Sequence, residues 1–294
     1  MNLILTGSSG FIGHQFLKKA PEYTIIPISL KDTPVDHINF NNVDVILHLA
    51  GLAHQMNGAP EKEYFKINSD LTIEFATKAK EKGVKHFIFI STAKVFGEST
   101  QIGHPFNERS ACFPTDPYSK SKLQAEERLK MLEDNNFIVS IIRIPLVYGA
   151  GVKGNLKSLI NLIRKTPILP LGQINNKRSL LYVGTLIDFL KKVIEKKRSG
   201  VFIACDNTAL SSTQLIRLLA KSLNKKIILF KMPFFIKKSV ELFKPAIIER
   251  LYDSFELDNT VTNQLLEFSP KYSIEEGIKE TTDYYKDNQL NKSL

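Results

Sequence analysis

Residues 2–13 read Asn2-Leu3-Ile4-Leu5-Thr6-Gly7-Ser8-Ser9-Gly10-Phe11-Ile12-Gly13, and this stretch decides the fold class. Its first residues form a short apolar run of the buried-strand type, and an apolar-periodic helix pattern continues from its end to about Ala20. Between them lies Gly7-x-x-Gly10-x-x-Gly13. In a strand–turn–helix unit the first glycine permits the tight turn. The second lets a pyrophosphate approach the backbone, and the third lets helix and strand pack closely. The phosphate then sits at the positive N-terminal end of the helix. Gly7, Gly10 and Gly13 are therefore candidate dinucleotide-binding residues.

Working outward, Tyr23–Ile28 is a second β-rich run, and Val43–Leu49 a third that is apolar on both faces. Glu61–Lys82 carries helical periodicity through Phe65, Leu71, Phe75, Ala76 and Ala79, and Gly83 stops it. Lys85–Ser91 reads as a strand. Pro117–Asn136 reads as a helix with Asp116 as its cap and Pro117 in its first turn. Phe137–Ile144 is again a strand. Strands alternating with helices imply parallel pairing with right-handed crossovers, and strands apolar on both faces imply a sheet covered on both sides. The expected class is α/β, a Rossmann-type doubly wound parallel sheet over residues 1–150, completed by parts of 175–205. Residues 151–294 form a smaller mixed α/β C-terminal lobe, rich in helix. It has short strands near Ser179–Val183, Val201–Ala204 and Ile227–Phe230, and a capping box at Ser211–Gln214. Ser179–Val183 is a candidate for rejoining the main sheet.

Of 294 residues, 43% are hydrophobic and 24% charged, which excludes wholesale disorder. No apolar stretch approaches the roughly 18–20 residues of a membrane-spanning helix, so stable membrane insertion is not expected. The start carries no basic leader, so a signal peptide is not expected, and a cytoplasmic location is. Cys112 and Cys205 form neither a disulfide framework nor a metal-ligand spacing, and His37, His54, His86 and His104 are scattered, so no metal is expected. The net charge of +10 favours anionic partners, but the basic residues are spread along the chain, and nucleic-acid binding is not expected. His48, among apolar strand residues, reads as a packed histidine.

Two further features carry chemistry. The second strand ends in Ser29 and Lys31, where an acid for the cofactor's ribose hydroxyls would stand. Hydroxyl and ammonium groups lean towards a 2′-phosphate, hence NADP over NAD. Tyr118 and Lys122 stand at i and i+4 on one helix face. A phenol near pKa 10 needs a cation to work as an acid–base at neutral pH, and Lys122 with a positive nicotinamide would supply one. Thr92 ends a strand and offers a hydroxyl to the same substrate oxygen. Proton transfer through Tyr118 coupled to hydride transfer interconverts an alcohol and a ketone.

With these residues in view, the chain resembles the extended short-chain dehydrogenase/reductase superfamily, in its nucleotide-sugar epimerase/dehydratase/reductase branch. The resemblance runs through TGSSGFIG at 6–13, HLAG at 48–51, STAKVFGEST at 91–100, PFNE at 105–108, DPYSKSK at 116–122, IRIPLVYGAGVKGN at 142–155, KRSLLYV at 177–183 and PKYSIEEGI at 270–278. It implies Tyr118 as acid/base, Lys122 on the nicotinamide ribose and Thr92 on the reacting oxygen. It implies Gly7, Gly10, Phe11, Ile12 and Gly13 at the pyrophosphate, and Leu49, Ala50 and Gly51 against the adenosine and ribose. Asn68 would shape the cofactor pocket, and Pro145 would pass the nicotinamide. Asn155 and Arg178 would hold the sugar nucleotide in the C-terminal lobe, Arg178 as a diphosphate clamp. A homodimer is the family's usual state. The basic aromatic run Phe230–Phe243 reads as an interfacial membrane helix or as lid or core, and the family pattern favours lid or core.

Three departures bear on the activity. Leu146 replaces a common asparagine, Gly184 replaces an acid after KRSLLYV, and Leu30–Asn42 is short, with Asp36 a poor adenine contact. From Leu146, the missing acid at Ser29 and the resemblance, the expected activity is NAD(P)-dependent reduction at C4 of a UDP-4-keto-6-deoxy-N-acetylhexosamine in surface polysaccharide biosynthesis. The alternative is a UDP-hexose 4-epimerase acting on UDP-glucose or UDP-N-acetylglucosamine. A non-catalytic dinucleotide sensor is a remote alternative.

Overall fold

The computed structural model describes residues 1–53 and 59–290; His54 lies outside the described residues. The alternating apolar runs become β1 (Asn2–Thr6), α1 (Phe11–Lys19), β2 (Thr24–Ile28), β3 (Val45–His48), α2 (Glu61–Phe65), α3 (Leu71–Glu81), β4 (His86–Thr92), α4 (Pro117–Leu132) and β5 (Ile138–Ile144). The C-terminal part continues with β6 (Leu146–Tyr148), α5 (Asn155–Lys165), β7 (Ile168–Leu169), β8 (Leu180–Tyr182), α6 (Val183–Lys196) and β9 (Gly200–Ile203). It ends with α7 (Ser212–Ser222), β10 (Ile228–Leu229), α8 (Phe234–Phe243), α9 (Pro245–Tyr252), α10 (Thr260–Leu266) and α11 (Ile274–Leu290).

The main sheet has the order β2-β1-β3-β4-β5-β9, and every pairing in it is parallel. Along β1, Leu3 and Leu5 pack on one side with Phe16, whereas Ile4 packs on the other with Ile46, Phe75 and Phe87. This two-residue alternation covers both faces with helices, as the continuous apolar runs require. Each fully buried Leu or Phe contributes about 1.5–3 kcal/mol. The strand order reverses between β1 and β3. The crevice at the carboxyl ends of these two strands is where an open α/β sheet binds ligands, and both the glycine loop and Leu49–Gly51 open into it.

Three expectations are corrected. Ser179–Val183 does not rejoin the main sheet: β8 pairs in parallel with β6 in a separate two-stranded sheet, while β9 supplies the sixth main strand. The helix expected over Glu61–Lys82 is interrupted by a π turn at Lys66–Asp70, which buries Asn68 and Ser69. Finally, α8 is not core, because each of its residues is exposed or half-buried. The two lobes interleave through bridges from Thr100 to Ser254 and Phe106 to Leu257, sealed by Phe96, Phe255 and Leu257. Asp36, set aside as an adenine contact, pairs with Lys78 at 2.7 Å.

Candidate active site

The glycine loop is shaped by contacts that side chains would destroy. Gly7 has φ +70°, and a Cβ there would lie 2.8 Å from the Ala50 nitrogen. A Cβ on Gly13 would fall on the Gly7 carbonyl oxygen and 2.7 Å from the Ser8 Cα. Gly10 differs: a Cβ would meet the Gly7 oxygen at 3.1 Å and otherwise face open space. Gly10 also opens α1, and the helix's first turn, Phe11-Ile12-Gly13, holds no acid. Backbone N–H groups at a positive helix end, with one glycine face clear for close approach, fit a dinucleotide diphosphate.

A hydrogen-bonded chain ties this loop to the rest of the crevice. The Ala50 N–H donates to the Thr6 hydroxyl at 3.1 Å. The Thr6 hydroxyl bonds the His48 Nδ1 at 2.9 Å, and the His48 Nε2 bonds the Thr72 hydroxyl at 3.0 Å. Thr72 in turn donates to the Asn68 carbonyl at 2.9 Å. One tautomer, with the proton on Nε2, satisfies every group in the chain. Burial drives the imidazole down to about 3, helped by the nearby Lys122 charge, so it stays neutral. The sequence reading of His48 as a packed residue fits this position.

Asn68 sits on the π turn, the kind of irregularity that re-aims a side chain at a functional site. Its amide oxygen accepts from the Leu52 N–H at 2.7 Å, and its amide nitrogen donates to the Leu52 carbonyl and the Ser121 hydroxyl, both at 3.0 Å. It thus clamps the chain after Gly51 and reaches α4. A Cβ on Gly51 would lie 2.9 Å from the Asn68 amide oxygen and 3.5 Å from the Lys122 ammonium.

The Asp116 cap accepts from the Ser119 N–H at 2.8 Å and is paired with Lys94, which fixes the first turn of α4. Thr92, at the end of β4, lies near enough to Tyr118 for its side chain to act on the phenol. Burial pushes the Tyr118 phenol up to about 12, and the neighbouring Thr92 side chain works against that rise. Lys122 is 5% exposed and donates to the Ile90 carbonyl at 2.8 Å. Burial lowers its ammonium to about 7, while Glu126 one turn along opposes the shift. Glu126 forms a buried ion pair with Arg143 at 2.6 Å and also accepts from Ser91.

Other expected residues take various positions. Phe11 and Ile12 are half-buried at the start of α1, Leu49 and Ala50 are half-buried, and Gly51 is exposed. Pro145 is half-buried between β5 and β6. Ser29 and Lys31 are exposed past β2, and the Ser29 hydroxyl donates to the Asp32 carboxylate at 2.6 Å. Asn155 is exposed at the first residue of α5. Arg178 donates to the Asp253 carbonyl at 2.9 Å and lies over the Phe255 ring, so its guanidinium is already partly engaged. The sequence reading missed Asp32 and Glu126. Glu126 continues the i, i+4 series from Tyr118 and Lys122, a spacing visible in the sequence. Asp32 is shifted three residues from the place where an acid was sought. Among the described residues no group of three or more His, Cys, Asp and Glu side chains is placed to hold a metal.

Comparison with known proteins adds to this geometry. Residues 3–203 match the family described as NAD dependent epimerase/dehydratase. A UDP-glucose 4-epimerase from Vibrio cholerae is 34% identical, with 97% of this chain and 95% of that protein aligned. A 28% identical Escherichia coli O157:H7 protein, named N-acetyl-α-D-glucosaminyl-diphospho-ditrans,octacis-undecaprenol 4-epimerase, aligns over 79% of this chain and 76% of its own. The structure of a UDP-glucose 4-epimerase from Thermotoga maritima with UDP-glucose superposes with a TM-score of 0.77. It is 23% identical and covers 98% of this chain and all of that one, which bears on the fold alone.

Proposed function

The chain belongs to the NAD dependent epimerase/dehydratase family, and from that premise we propose that it is a UDP-hexose 4-epimerase acting on UDP-glucose or UDP-N-acetylglucosamine. At the coarser level it is an NAD(P)-binding oxidoreductase/epimerase of the enzymes that modify nucleotide sugars. The observation that carries the finer reading is the 34% identity along nearly the whole chain to the Vibrio cholerae protein named UDP-glucose 4-epimerase. The nearness of Thr92, at the end of β4, to Tyr118 on α4 supports it. The reductase expected from the sequence takes second place, resting on Leu146, which is 48% exposed where many members carry asparagine.

The glycine loop would hold the cofactor's diphosphate, Leu49–Gly51 its adenosine and ribose, and Lys122 the nicotinamide ribose. A bound nicotinamide supplies the hydride acceptor and donor for C4 of the sugar. Tyr118 takes the proton from O4 as the alcohol is oxidised and returns it as the ketone is reduced. Thr92 would hold O4 in line through its own hydroxyl, beside Tyr118. With its phenol pushed to about 12 by burial, Tyr118 needs neighbouring positive charge to act as a base near neutrality. Lys122 and an oxidised nicotinamide would both contribute it. Glu126 favours the charged form of Lys122.

NAD takes precedence over NADP in this reading. Asp32, bonded to Ser29 at 2.6 Å, brings to the end of β2 the acid that the sequence reading found missing. A carboxylate suits a ribose hydroxyl and repels a 2′-phosphate.

The test is to give the purified protein UDP-glucose or UDP-N-acetylglucosamine without added cofactor and to follow the C4 epimer. An epimerase converts them, whereas a reductase leaves them untouched and consumes NAD(P)H only with a 4-keto sugar nucleotide. Tyr118→Phe should lower the rate by about 10²–10⁴-fold while dinucleotide binding persists. Conversion undiminished in Tyr118→Phe, or absent in the wild type, would discard the proposal.

A further inference from the structure

We infer that α8 and the residues flanking it form a docking surface for an anionic lipid bilayer. This goes beyond the reaction itself and does not depend on it. The observation is an exposed apolar helix face framed by cations. Phe235, Leu242 and Phe243 are 82%, 77% and 80% exposed, and Phe234 is 65% exposed. At about 100° per residue, Leu242, Phe235 and Phe243 project from one side of the helix. The half-buried residues of α8, Lys237 and Val240, lie on the opposite side, towards the protein. The apolar face is thus turned outward by the fold.

The seat of the helix explains that orientation. Lys237 lies over the Tyr252 ring at 4.2 Å, which ties α8 to the end of α9. Ile248 of α9 is 6% exposed and anchors the pair to the body. The chain then passes directly to Asp253, whose carbonyl accepts from Arg178 at 2.9 Å. The surface is therefore coupled by a few bonded residues to the candidate diphosphate clamp.

The charge pattern selects the occupant. Besides Lys237, which is seated on Tyr252, Lys231, Lys238, Lys244 and Arg250 lie on or beside the helix, against Glu241 and Glu249. The Lys238 ammonium lies over the Phe234 ring at 5.6 Å, so a cation stands directly beside the exposed aromatic residues. Aromatic residues with interspersed lysines match an interface where rings enter the acyl boundary and ammonium groups meet anionic headgroups. A second copy of the chain would set the same lysines against one another in a two-fold contact, which opposes self-association through this face. Among the described residues no helix is long and apolar enough to cross a membrane. The contact is therefore interfacial and reversible.

Flotation of the intact protein with vesicles tests the surface. The wild type should float with vesicles holding about 30% phosphatidylglycerol in phosphatidylcholine, and should be released by high salt. The triple variant Phe235→Ser/Leu242→Ser/Phe243→Ser, altered only at exposed positions, should lose about tenfold or more in vesicle binding. Lys231→Glu/Lys238→Glu should lose it similarly while keeping the apolar face. Conversion of a soluble UDP-sugar should be unchanged in both variants, so failure here is separable from failure of the proposed reaction. The inference is overturned if the wild type does not float or if the triple variant floats equally. It is also overturned if that variant turns a dimer into a monomer, which would assign the face to a second copy.

Discussion

Thr72 and Asn68 meet through one hydrogen bond, hydroxyl to carbonyl at 2.9 Å, and so close a chain that starts at the glycine loop. Through His48 and Thr6 the same chain reaches the Ala50 N–H, so the π turn and the cofactor crevice are positioned together. The neutral imidazole at its centre has a consequence for acid stability.

His48 is driven to about 3 and His86 to about 4 by burial, against an ordinary value of 6.5. Between those values and 6.5 the unfolded chain binds more protons than the folded one. Stability therefore holds above pH 6.5 and falls as pH drops towards 4 and then 3, by up to about 1.4 kcal/mol per pH unit for each histidine. Urea midpoints measured across this range should trace that limb. His48→Gln should make it shallower, and an unchanged slope would remove His48 as a cause.

The Glu126–Arg143 pair is buried on both sides, with side chains 0% and 4% exposed. Glu126→Gln leaves a buried guanidinium without its carboxylate and should destabilise the protein by about 3–5 kcal/mol. Replacing both by methionine should recover most of that loss in denaturant titrations. The same double variant removes the carboxylate that favours the Lys122 ammonium, so the alkaline side of its activity profile should move to lower pH.

Two glycines of one loop should fail differently. Gly13→Ala places a methyl on the Gly7 carbonyl and 2.7 Å from the Ser8 Cα. It should lower the melting temperature of the cofactor-free protein. Gly10→Ala meets the Gly7 oxygen at 3.1 Å and otherwise open space, so that melting temperature should stay close to wild type while dinucleotide binding is lost. Retained binding in Gly10→Ala would show that no diphosphate approaches there.

Asp32 should set cofactor choice. Asp32→Asn removes a carboxylate that the Ser29 hydroxyl holds in place at 2.6 Å. Affinity for NADP relative to NAD should rise by roughly 10- to 100-fold, the worth of one charged hydrogen bond. Equal preference before and after would place the ribose elsewhere.

What the sequence by itself determined is local in origin. Gly7, Gly10 and Gly13 follow an apolar run and open a helix, and strand and helix periods alternate to residue 144. Tyr118 and Lys122 share a face because four residues make about one helical turn. Only the tertiary structure decided the rest. Thr6 and His48 meet because strands far apart in sequence lie side by side in the sheet, and Thr72 of α3, packed against it, links them to Asn68 on the π turn. The strand at Ser179–Val183 was legible, but its partner β6 was not, since pairing depends on packing between lobes. The run Phe230–Phe243 shows the same limit. Its apolar period is the same for a helix in a core and for one facing outward, and only the burial of Ile248 next to the exposure of Phe235 separates the two. Periodicity fixes which residues share a face, and what that face meets depends on chain that the local pattern does not contain.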